Sequence, residues 1–223
     1  MQFPSAANGS KKIFTGELLS LIVAICAGLS AVLAIFGIAG AAAVALEEGA
    51  ISGAAIGGMA AAGALGLVSG ILAIIATILT IVGTVQCAKD ENSFKAALIA
   101  LLVSLVFSII AGFFSSNTVL AGVADVINKV ASIFINVMII NGFCVLADKL
   151  NNAEVRQKGN SILKFIIILL ILQIILSVIT RFLPNVVGVT IAGVLGVVIL
   201  ILSIIQYFLF LSFLGKARNM LNS

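Results

Sequence analysis

Histidine and tryptophan are absent from this chain of 223 residues, tyrosine occurs once, proline twice and cysteine three times. Each scarcity closes off some chemistry. Without histidine, a nucleophilic serine has only a lysine or a carboxylate to take its proton, and neither stands near Ser104, Ser108 or Ser177 in the sequence. The acidic residues are scattered rather than grouped, so no set of metal ligands is expected. Cys26, Cys87 and Cys144 lie in or at the ends of apolar runs without CxxC spacing, and read as small core-filling residues. No GxxxxGK[ST] phosphate loop, no GxGxxG turn and no basic stripe interleaved with aromatics occurs. No catalytic residue, cofactor, metal or nucleic-acid partner is therefore expected.

Charge is the other scarcity. Charged residues make up 9% and apolar residues 62% of the chain, against about 25% and about 45–50% in soluble globular proteins. That much apolar surface does not fit inside one protein core, so a lipid bilayer is the expected solvent and partner. Six apolar segments, 18–46, 54–88, 96–114, 118–147, 162–183 and 186–214, are each continuous rather than alternating. Each reaches the roughly 17–25 residues that a helix needs to cross about 30 Å of hydrocarbon. The fold expected is an all-α integral membrane protein of six transmembrane helices, with 1–223 as a single domain.

The few charges are sorted. Lys11, Lys12, Lys89, Lys95, Lys149, Arg156, Lys158, Lys164, Lys216 and Arg218 fall before the first span, in every second connection or after the sixth span. The opposite connections hold only Lys129 and Arg181, with Glu47, Glu48 and Asp125. By the positive-inside rule this predicts a multi-pass protein of the cell membrane with both termini cytoplasmic. The stretch 145–165, VLADKLNNAEVRQKGNSILKF, is then a cytoplasmic loop, interrupted by Asn151 and Asn152 and loosened by Gly159. A cleaved signal is the competing reading of the N-terminus, with AVA at 43–45 imitating a cleavage site, but the apolar run is longer than the usual 7–15 residues.

An internal repeat is also legible. Residues 94–114 superpose on 163–183 without gaps, matching Lys95 with Lys164, Ser104 with Gln173 and Ser108 with Ser177; a second shift brings Phe14, Ala24 and Gly28 into the same frame. Three tandem outward helical hairpins, 13–89, 94–149 and 160–216, would form a parallel three-fold repeat. This layout is similar to that of mitochondrial carriers, but their proline, acidic, basic signature on each odd helix is missing, since the prolines are Pro4 and Pro184. The likeness is one of layout alone. In size and span count the chain also resembles the substrate-binding subunits of vitamin importers, whose ligand pockets imply aromatics that are scarce here.

Within the membrane, small residues mark where helices approach and polar ones where they bond. Ala24, Gly28 and Ala31 on the first span and Gly66, Gly70, Thr77, Thr80 and Thr84 on the second form two such helix-packing strips. Asn128, Ser132 and Asn136 on the fourth span, Gln173, Ser177 and Thr180 on the fifth, and Gln206 on the sixth either join helices or line a polar path. The first alternative makes the protein an accessory or structural membrane component that contacts a membrane-protein partner or copies of itself. The second makes it a small permease, channel or solute-binding subunit, its solute unspecified.

Overall fold

The computed structural model describes residues 2–47, 53–113, 118–182 and 186–222, with side chains described over 2–30, 63–110, 112–113, 127–128, 130–172, 175, 195, 198–199 and 201–222. Among the described residues there is no strand. Six helices follow one another: α1 (Pro4–Glu47), α2 (Gly53–Cys87), α3 (Ser93–Phe113), α4 (Thr118–Lys149), α5 (Ala153–Phe182) and α6 (Val186–Asn222). Five contain a described stretch long and apolar enough to cross a membrane: Pro4–Ser30, Gly63–Cys87, Ser93–Ile110, Val130–Lys149 and Ile201–Asn222. In α5 the side chains of residues 173, 174 and 176–182 lie outside the described residues. The chain is thus a helical, multi-pass membrane protein in character.

Several helices outrun their apolar segments. α1 starts at Pro4, so Lys11 and Lys12 lie within it rather than ahead of it; proline suits a first helical turn, where its missing N–H is not needed. α5 starts at Ala153 and α6 continues to Asn222. The stretch 145–165 is therefore not a loop but two helix ends joined at residues 150–152. Gly159 does not loosen it: this glycine is buried inside α5, where an added Cβ would run into Cys144 Sγ and the Phe213 ring. The extensions stay helical because they are amphipathic. On α6 Phe210, Phe213, Leu214, Ala217, Met220 and Leu221 are buried at helical spacing while Ser212, Lys216 and Asn219 face out.

The chain divides into two compact units. The first comprises Met1–Lys11 and Gly83–Ser223, the second Lys12–Val82. In the first unit α3 packs on α4, α5 on α6, and α4 on α5. Its core is the row of edge-to-face rings Phe94, Phe143 and Phe213, with centroids 4.9 Å and 6.3 Å apart. Leu146, Val155 and Leu214 are buried with them. The start of α1 lies against the segment after α2, the start of α3 against the last turns of α4, and the start of α5 against the last turns of α6. In the second unit Gly16 brings α1 against Ala76 and Thr80 of α2, and Ile13, Ala76 and Thr80 are buried.

Candidate functional site

The charged end of the first unit is where polar groups converge. Its joint at 150–152 is two caps back to back. Asn151 takes a left-handed conformation, φ 53°, which asparagine tolerates better than most residues. This lets Asn152 N–H reach Ala147 O at 2.8 Å and Asn151 N–H reach Asp148 O at 3.1 Å, closing the end of α4. Asn152 then serves α5 as its N-cap, its Oδ1 accepting from Val155 N–H at 3.0 Å. Two adjacent asparagines turn the chain back within three residues.

Four carboxylates clip this end together. Asp90 Oδ2 accepts from Ala6 N–H at 2.6 Å, capping the first turn of α1. Glu91 pairs with Lys149 at 2.6 Å, Asp148 with Arg156 at 2.9 Å, and Glu154 with Lys216. Lys149 also sits 5.8 Å from the centre of the Phe3 ring. Burial alone would raise the Glu91 carboxyl, but the hydrogen bond and charge of Lys149, with N–H groups of Ser93 and Asn92, outweigh it and hold the group below the usual glutamate range. Glu154 is lowered by Lys216 in the same way, and Lys158 is lowered by burial and by repulsion from Lys216, against the pull of Glu154. Lys158 donates to Ser212 Oγ at 2.6 Å, a further tie between α5 and α6.

Beside the joint opens a polar pocket of about 530 Å³. Its lining includes Asp148, Asn151, Arg156, Gln157, Asn160 and Lys164. Two cations and one carboxylate leave the lining with one positive charge, and amides supply most of its other donors. Such a surface can hold an anion or hydrogen-bond a polar group. Ser161, also in the lining, donates its hydroxyl to Gln157 O at 3.0 Å. A second recess, about 570 Å³, is lined by Ala96, Ala100 and Val103 of α3 and by Val130, Ala131 and Phe134 of α4. That recess offers only hydrocarbon contact.

The residues singled out from sequence fall as follows. Asn128 is half-buried and accepts from Ser104 Oγ at 3.2 Å, joining α3 to α4. Asn136 and Gln206 are half-buried and Ser132 is exposed; the side chains of Gln173, Ser177 and Thr180 lie outside the described residues. Thr80 and Thr84 are buried in α2, but Ala24, Gly28, Gly66, Gly70 and Thr77 are exposed, and the side chain of Ala31 lies outside the described residues. The close approach of α1 and α2 is made instead by glycines nearer the charged end. At Gly9 a Cβ would meet Gly83 O at 2.5 Å and Cys87 N at 2.9 Å, backbone against backbone, whereas Gly28, Gly66 and Gly70 have nothing within 4 Å. The physical reason is local: the amphipathic first turns of α1 bury Ala6, Ala7 and Ser10, and a glycine among them lets the two helix axes come together.

Sequence reasoning missed the carboxylate clips, the ring row and the pocket. A signal for the packed end was present in the spacing of Phe210, Phe213, Leu214, Ala217 and Leu221, which continues an apolar face into a charged segment. Among the described residues no group of three or more Cys, Asp or Glu side chains is placed to hold a metal ion. Comparison of the chain with protein-family models, with curated proteins and with solved structures finds no match.

Proposed function

We propose that this protein is an accessory or structural component of a cell membrane, with both termini in the cytoplasm, that acts through helix–helix contacts and has no catalytic role. In this reading α1 with α2, α3 with α4 and α5 with α6 are three hairpins of like orientation, tethered at their cationic end to the cytoplasmic headgroup layer. The observation that carries it is how polar side chains along the spans are used. Ser104 donates to Asn128 across two helices, while Ser69, Thr77 and Ser203 donate to carbonyls of their own helices, Gly66, Ala73 and Ile199. Groups spent on register and on backbone support a structural role over a solute path, in which such groups would face water.

The test has two arms. Reporters placed at the exposed Ala153 stay unlabelled from outside intact cells while reporters near Glu48 are labelled; the opposite pattern sinks the orientation. Reconstituted liposomes show no solute flux above protein-free controls, and crosslinking in native membranes captures either a second copy or a defined membrane protein. Flux that is abolished by Gln173→Leu with Asn136→Leu would move the protein to the permease class.

A further inference from the structure

α5 has two faces with different fates. Val155, Gly159, Ile162, Ile166 and Leu169 are buried against the neighbouring helices. On the opposite side Gln157, Asn160, Lys164, Ile168, Ile171 and Ile175 follow at steps of 3, 4, 4, 3 and 4, which is one straight helical stripe. Its first half lines the polar pocket. Its second half is bare hydrocarbon: Ile168, Ile171 and Ile175 are 53%, 51% and 44% exposed. The change from amide to aliphatic happens at Lys164. Helical side chains lean toward the helix N-terminus, so Lys164 leans from the hydrocarbon boundary toward Asn160 and the pocket, the geometry of a snorkelling lysine.

We infer that the pocket beside the α4–α5 joint, together with the isoleucine stripe below it, is a binding site for one anionic glycerophospholipid. The phosphate sits against Lys164 and Asn160, the rest of the headgroup occupies the pocket beneath Arg156 and Gln157, and one acyl chain lies along Ile168, Ile171 and Ile175. Charge decides the class of lipid. Arg156 is partly neutralised by its 2.9 Å pair with Asp148, and among the described residues Lys164 has no ion pair, so the lining carries one net positive charge at the depth of the phosphate. A soluble anion would match the charge but not the aliphatic stripe, and a partner helix would match the stripe but leave the pocket's charge unanswered.

This site rests on the membrane reading above, and the experiment separates the two. The full chain, purified in a neutral detergent, is titrated with phosphatidylglycerol or with phosphatidylcholine of the same acyl chains, and bound lipid is counted by native mass spectrometry. Phosphatidylglycerol is retained in preference, and Lys164→Gln weakens its retention about fivefold, the effect of one basic group near a headgroup. Lys164→Arg restores it. Lys95→Gln, which removes another exposed lysine at the start of α3, leaves it unchanged. Equal losses for Lys164→Gln and Lys95→Gln, or equal retention of both lipids, overturn the site. Displacement by millimolar glycerol phosphate overturns the choice of a lipid, and loss of lipid retention on self-association would give the face to a second copy. Release of the chain from membranes by alkaline carbonate sinks the membrane reading itself; a chain that resists extraction yet shows no lipid preference sinks only the site.

Discussion

Phe94 and Ile109 stand on the same helix, four turns apart, yet Phe94 is fully buried and Ile109 is 51% exposed. The same contrast runs along α4, where Phe143 is enclosed and Phe134 is 42% exposed, and along α6, between Phe213 and Phe208. Chemically alike side chains have been sorted by depth. At the charged end the surroundings expected are water, from which apolar residues gain by turning inward. Further along, the surroundings expected are lipid tails, which solvate isoleucine as well as another helix does. The first region is therefore held by packing and carboxylate clips, the second by occasional small residues and polar pairs.

The largest break in that comparison is Phe143→Ala. Phe143 touches both other rings of the row, and truncating an enclosed phenylalanine costs about 3–5 kcal/mol. Ile109→Ala on the shaft of α3 truncates a side chain that is half exposed and is expected to shift thermal unfolding in detergent far less. Comparable losses for the two would show that the shafts carry as much of the fold as the charged end.

Next comes Gly9→Val. The new Cβ meets carbonyl Gly83 O and Cys87 N, neither of which can rotate away, and overpacking of this kind costs about 1–3 kcal/mol or more. Its measurement is the same thermal unfolding, supplemented by crosslinking between the start of α1 and the end of α2. Undiminished stability would mean that the start of α1 and the end of α2 are not held together by close packing.

These two residues also mark what sequence could and could not reveal. The helices were legible because runs of 18 or more apolar residues admit few other readings. Gly9 was not legible: it sits in a short polar segment, PSAANGSKK, whose helicity depends on tertiary burial of Ala6 and Ala7. The clips were illegible for another reason. Nothing along the chain ties Glu91 to Lys149, which are 58 residues apart, and a charge pattern that gives orientation gives no partners. Gly28, Gly66 and Gly70 obeyed the small-residue spacing, but spacing says only that a close approach is sterically open, and the structure makes its approach at Gly9 and Gly16 instead.

A smaller effect sharpens the role of charge. Glu91 is 13% exposed and its carboxyl is held low, whereas Glu154 is 71% exposed and its pair with Lys216 is screened by water. A carboxyl lowered by folding stabilises the native state above its unfolded value and ceases to do so as pH falls through the folded one. Stability of the charged end is thus full at neutral pH and declines below about pH 4.3. Glu91→Gln should flatten this acid decline more than Glu154→Gln does, as read from unfolding temperature against pH. Equal responses would mean that the Lys149 pair is no better sheltered than the exposed one.

The smallest expected effect is the most discriminating for function. Gly16 and Gly70 are helical glycines of the second unit, but a Cβ at Gly16 meets Thr80 Oγ1 at 2.5 Å while one at Gly70 meets nothing within 4 Å. Gly16→Ala should destabilise by crowding. Gly70→Ala should leave stability unchanged or raise it by about 0.5–1 kcal/mol, because alanine restricts the unfolded backbone and favours the helix. If Gly70→Ala nonetheless weakens crosslinking to a second copy or to a co-purified membrane protein, the bare small-residue face of α2 is used between proteins, as an accessory role requires. If it lowers the unfolding temperature of the purified chain as far as Gly16→Ala does, that face is already engaged within the molecule, and the division between a packed end and open shafts fails at α2.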